Sequence, residues 1–120
     1  MTAKSSLIEF KTDRIVCLDR ANLHLFAEVI DTIEISARCW VRPLAIARSH
    51  PENFNLEFLH DLRDTAQLIL PSELFRYALD TEVLPLISEL FHPAPDSIRS
   101  TNAQRVLYQF IADLYRSPCG

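Results

Sequence analysis

Three cysteines and four histidines are the side chains of this 120-residue sequence with the most versatile chemistry, and their spacing suits neither a metal centre nor a thiol catalyst. His24, His50, His60 and His92 are scattered, with no H-E-x-x-H pattern and no cysteine at zinc-finger distance. Cys17, Cys39 and Cys119 form neither a C-x-x-C pair nor an even framework, which predicts free thiols in a reducing compartment. Apolar neighbours around Cys17 and Cys39 predict that both pack as small hydrophobes. The run His60-Asp61-Leu62-Arg63-Asp64 brings base, acids and a cation together, but alternating charges of this kind ordinarily form a solvated, locally paired surface. The only glycine is Gly120, so neither G-x-G-x-x-G nor the Walker A loop can be written anywhere. No cofactor, metal or catalytic residue is expected from these patterns. An enzyme remains as an alternative, with His60 or Cys39 as the reactive group between sheet and helices.

Charge is distributed unevenly. From Ser36 to His50 the chain carries Arg38, Arg42 and Arg48 and no acid, whereas Pro51 to Asp96 holds nine acids against Arg63 and Arg76. Arginine outnumbers lysine ten to two, which favours recognition, because the guanidinium is weakly hydrated and makes planar bidentate contacts. On a strand, Arg38, Trp40 and Arg42 project from one face at about 7 Å spacing. Three readings of that face stay open. Trp40 could anchor a protein partner between two arginines, the residue types enriched at interface hot spots. It could stack on an unpaired base of a single-stranded nucleic acid, with the arginines on phosphates. It could also pack beneath the C-terminal helices, its arginines paired with the acidic segment. A sequence pI near 5.5 and three clustered cations supply little electrostatic drive toward nucleic acid. The expected Trp40 is half-packed, with one edge reachable.

Positioning such a face requires a sheet. β-Branched residues crowd the N-terminal half (Ile15, Val16, Val29, Ile30, Thr32, Ile33, Ile35, Val41), which predicts strands. Small apolar residues alternate with polar ones from Ser36 onward. The same stretch, residues 22 to 44, also fits a helical period through Leu23, Phe26, Ile30, Ile33, Ala37 and Trp40. Residues 56 to 70 read either as two strands around Arg63-Asp64-Thr65 or as a helix. From residue 72 an apolar stripe through Leu74, Phe75, Leu79, Val83, Leu86 and Leu90 predicts helix, kinked at Pro85 or divided at Asp80-Thr81. His92-Pro93-Ala94-Pro95 reads as a loop. Thr101 with Gln104 has the form of a capping box, opening a helix to about residue 116 whose apolar face holds Val106, Leu107, Phe110, Ile111 and Leu114.

These elements predict one α+β domain over residues 1–120: a small antiparallel sheet or partial barrel packed by two or three C-terminal helices, with an all-α bundle as the alternative. At this length the chain should bury roughly two thirds of its unfolded surface. No apolar run approaches the ~20 residues of a membrane helix, and the polar Met1 to Ser6 lacks the character of a signal peptide, which predicts a cytoplasmic protein. The segment Cys39-Trp40-Val41-Arg42-Pro43-Leu44, with Glu28-Val29-Ile30 before it and Leu74-Phe75-Arg76 and Leu79-Asp80-Thr81-Glu82-Val83 after it, resembles small uncharacterised proteins of cyanobacteria. The resemblance spans roughly residues 23 to 90 and implies a bacterial cytosolic setting, with no activity to carry over. The expected function is non-enzymatic binding of another protein, including a second copy of itself, through Arg38, Trp40 and Arg42.

Overall fold

A computed structural model describes residues 11–50, 52, 56–91 and 102–116. Strands β1 (Ile15–Arg20), β2 (Leu23–Ile33), β3 (Arg38–Ser49), β4 (Leu56–Asp61), β5 (Leu68–Pro71) and β6 (Phe75–Tyr77) form one antiparallel sheet, followed by helices α1 (Asp80–Phe91) and α2 (Ala103–Arg116). The expected antiparallel sheet is present, and among the described residues its strand path β4-β3-β2-β1-β6 has open ends. The all-α alternative is overturned. The helical period in residues 22–44 arises because the middle of the sheet is covered on both faces: Leu25, Phe26 and Ala27 are all fully buried, so apolar residues fall at consecutive positions rather than alternate ones.

The two helices lie on opposite faces. Leu107 and Phe110 of α2 pack on Val16, Leu18, Leu25, Ala27, Val29 and Val41, while Leu86 and Leu90 of α1 pack on Cys17, Phe26, Ala45 and Ala47. The apolar stripe predicted for α2 therefore faces the core. Gln104, expected to close a capping box, instead accepts the backbone N–H of Ala66 at 2.9 Å. Thr101, the His92 to Pro95 loop and Cys119 lie outside the described residues.

The predicted helix from residue 72 divides at Asp80, as one alternative had it, but its first half is not helical. Ser72–Leu74 makes a single 3-10 turn and Phe75–Tyr77 joins the edge of β1. Glu82 turns back to accept the Leu79 N–H at 2.8 Å, so Leu79 stands at the cap position of α1. Pro85 is the sixth residue of α1 and leaves the Thr81 carbonyl without its helical donor. Both residues are exposed, so that carbonyl is open to solvent.

β4 and β5 do not pair with one another around Arg63-Asp64-Thr65. They lie end to end along β3, β4 against Ala45–Ser49 and β5 against Arg38–Val41. The lack of internal glycine has a visible cost: Ala21, in the two-residue turn between β1 and β2, and Ala37, which closes the turn between β2 and β3, both take positive φ (55° and 53°). A non-glycine residue in that region pays roughly 1–2 kcal/mol.

Candidate functional site

β3 is long enough to serve two environments. Its first half alternates strictly, with Arg38, Trp40 and Arg42 exposed and Cys39, Val41 and Pro43 buried, whereas Ala45, Ile46 and Ala47 are buried in succession. Since Cys39 and Val41 join the cluster beneath α2, Trp40 and its arginines project on the α1 side, where α1 covers the other half of the sheet and leaves theirs bare.

On that bare half, Trp40 stands opposite Ile69 of β5 and Asp31 of β2. Trp40 is 36% exposed and Ile69 is 49% exposed. The indole Nε1–H donates to Gln67 Oε1 at 3.1 Å, so the polar edge is satisfied while part of the apolar ring stays in water. Arg42 reaches Glu28 across the strand pair at 3.0 Å, not the acidic segment beyond residue 51. Among the described residues Arg38 has no ion-pair partner. Sequence reasoning placed these three side chains together on one face, with Trp40 half-packed, and the geometry places them so. It does not put Trp40 beneath either helix.

A second constellation was missed. At the open end of the α1 face, His24 Nδ1 meets Asp19 Oδ1 at 2.6 Å and His24 Nε2 meets Ser49 Oγ at 2.9 Å. Asp19 is gripped by Arg76, whose Nε donates to Oδ2 at 2.7 Å and Nη2 to Oδ1 at 3.1 Å, and the same guanidinium holds Glu82 through two bonds of 2.9 Å. Burial raises the Asp19 carboxyl, but hydrogen bonds from Arg76, His24 and Cys17 outweigh it and hold the group at about 2. The signal that could have found the relay is the hairpin: a two-residue turn at 21–22 makes Asp19 and His24 direct cross-strand partners. Ala-Asn is a weak turn signature beside Asn-Gly, so the turn escaped notice.

The order carboxylate, imidazole, hydroxyl is that of a serine nucleophile with its base and orienting acid. Two features oppose that use. The Ser49 backbone N–H, a natural oxyanion donor, is bonded to the Asn22 carbonyl at 2.9 Å, and Asp19 is already neutralised by Arg76. A metal fits less well. Cys17 Sγ, an Asp19 oxygen and a His24 nitrogen lie within 4.8 Å of one another, but the Arg76 guanidinium stands where a cation would, 3.5 Å from Cys17 Sγ. Burial and the Asp19 charge also push the Cys17 thiol far up, away from the thiolate that a metal requires.

The other expected reactive groups are similarly quiet. Cys39 is fully buried and its thiol is pushed up to about 11, by burial and then by the charge of Asp31. Arg63 grips Asp61 in a bidentate pair (Nη2 to Oδ2 2.8 Å, Nε to Oδ1 3.1 Å), the locally paired arrangement expected of that run, although Leu62 between them is fully buried. No described helix is long and apolar enough to cross a membrane. No protein family, curated protein or solved structure matches the chain.

Proposed function

We propose that this protein works by recognition, binding another protein on the bare half-sheet formed by Arg38, Trp40 and Arg42 with Ile69 beside them. The single observation that carries the reading is Trp40 lying 36% exposed against an exposed Ile69, on a sheet whose other half is covered by α1. Leaving apolar side chains of this size in water forgoes roughly 1.5–3 kcal/mol each when fully counted, and a partner recovers it. Arg38, without an ion-pair partner among the described residues, favours a partner that presents a carboxylate at the rim. Arg42, neutralised by Glu28, is less available to phosphate, which favours protein over nucleic acid.

Trp40→Ala separates the roles. Because Trp40 is already 36% exposed, the variant is expected to lose less than about 2 kcal/mol of stability in a urea melt, below the 3–5 kcal/mol of a buried aromatic. Partner recovery in a cross-linked pull-down from native lysate should fall to background. Equal recovery by the folded variant overturns the assignment of this face. Light scattering that finds only monomer at high concentration removes the version in which the partner is a second copy.

A second reading rests on the Asp19–His24–Ser49 relay, which would support acyl transfer with Ser49 as nucleophile. It predicts covalent labelling by a fluorophosphonate at pH 8 that disappears in Ser49→Ala. An unlabelled wild type leaves the relay as a polar tie between the first hairpin turn and the end of β3.

A further inference from the structure

On the opposite face of the same sheet end, α2 does not close fully on the strands. A cavity of about 320 Å³ opens there, floored by Leu23, Ile46, Leu59, Val106 and Phe110. Arg20 from the end of β1, Arg48 from β3, Arg105 from α2 and His60 of β4 also line it. Asp113 is the one carboxylate in the lining, and it is engaged by Gln109 Nε2 at 2.9 Å and by Arg116 at 3.7 Å. Among the described residues Arg20 Nε is buried with no acceptor, Arg105 has no ion-pair partner, and Arg48 pairs with Glu57 at 3.8 Å. His60 Nδ1 is likewise buried and unpartnered.

Buried donors without acceptors are costly, each forfeiting the hydration it had in the unfolded chain. That penalty is removed by one kind of occupant, an oxyanion that accepts from Arg20 while its body covers the apolar lining. We infer that this cavity is a binding site for a small amphipathic carboxylate, its headgroup held by Arg20 and Arg105 and its aliphatic or aromatic body lying on Ile46, Leu59 and Phe110. At about 30 Å³ per non-hydrogen atom, taking water as the yardstick, the space holds about ten such atoms. That is the size of an eight-carbon fatty acid. Arg48, tied loosely to Glu57, is free to swing onto the second carboxylate oxygen. The face is separate from the Trp40 half-sheet, so the two assignments stand or fall independently.

Octanoate is the probe, with octylamine, 1-octanol and inorganic phosphate as controls, by isothermal titration and by thermal melting of the full chain. Octanoate is expected to bind one to one, to raise the melting temperature and to shift the amide and ring resonances of His60 and Phe110. 1-Octanol should bind at least tenfold more weakly and octylamine not at all, since the rim is cationic; phosphate, with no body for the floor, should also be at least tenfold weaker. Arg105→Gln lies on the exposed side of α2 and is expected to weaken octanoate about tenfold, the scale of one charge-assisted hydrogen bond. Binding of 1-octanol or octylamine as tight as octanoate would show an apolar hollow without anion recognition and overturn the inference. So would phosphate matching octanoate, or the absence of heat and melting shift at millimolar octanoate. These comparisons use wild-type protein alone, so the inference is decided even where a variant does not fold.

Discussion

Phe26→Ala is expected to lower the stability of the fold by about 3–5 kcal/mol, the largest effect of any single substitution considered for this protein. Phe26 is fully buried in the middle of β2, its ring centroid 6.4 Å from that of Phe58, in the cluster that receives Leu86 and Leu90 of α1. Truncation leaves a cavity between sheet and helix that its neighbours cannot fill, because Ala45 and Ala47 across the strand pair are already small. Urea unfolding monitored by circular dichroism gives the number directly. A loss below about 1 kcal/mol would mean that α1 is not docked on this face, since an aromatic ring under a packed helix cannot be removed so cheaply. The contrast with Trp40→Ala is informative: two aromatic residues on neighbouring strands, pointing to the same side of the sheet, differ in expected cost because α1 covers one and not the other.

The second large effect concerns Arg76. Its guanidinium holds Asp19 and Glu82 together, and removing it leaves two carboxylates facing a buried thiol without a cation. Arg76→Gln is expected to cost about 2 kcal/mol at pH 7, within the range of charge-assisted hydrogen bonds and below the 3–5 kcal/mol of a fully buried pair, because Asp19 and Arg76 are each about 40% exposed. The pH dependence has a definite sign. The Asp19 carboxyl is held at about 2 against an ordinary 3.8, and Glu82, raised by burial but pulled down further by Arg76 and the Leu79 N–H, also lies below its usual value. Depressed carboxyls contribute stability above their unfolded pKa and lose it as pH falls through the folded one. The deficit of the variant should therefore be greatest at neutral pH and close between about pH 4 and pH 2. Urea melts at pH 7 and pH 3 measure it. A deficit of equal size at both values would assign the role of Arg76 to packing of its stem over Cys17 rather than to its charge.

Much of the architecture was legible in the order of residues. The density of β-branched side chains announced the sheet, the period of Val106, Leu107, Phe110, Ile111 and Leu114 announced α2, and the alternation around Trp40 put it and its arginines on one face. These are local signals, set by backbone sterics and by the two-residue and 3.6-residue repeats, and they survive without knowledge of the partner element. Residues 72–77 failed for the same reason. Leu74 and Phe75 fit a helical stripe, but β1 offered an unpaired edge, and the ladder from Val16 to Leu18 drew Phe75–Tyr77 into a strand.

What depends on distant contacts could not be read along the chain. Asp19, His24, Ser49, Arg76 and Glu82 meet only because a hairpin, the far end of β3, an edge strand and the start of α1 converge on one end of the sheet. Arg20, Arg48 and Arg105 line one cavity on the other face of that end, where the same folding of β1 and β3 meets α2. Neighbours in sequence, Asp19 with Arg20 and Arg48 with Ser49, thus belong to different sites, since successive residues on a strand point to opposite faces. The sequence determined that these side chains exist and that a sheet would carry them. Which face each helix covers, and therefore whether Trp40 is exposed and the arginine cavity open, was decided by tertiary packing.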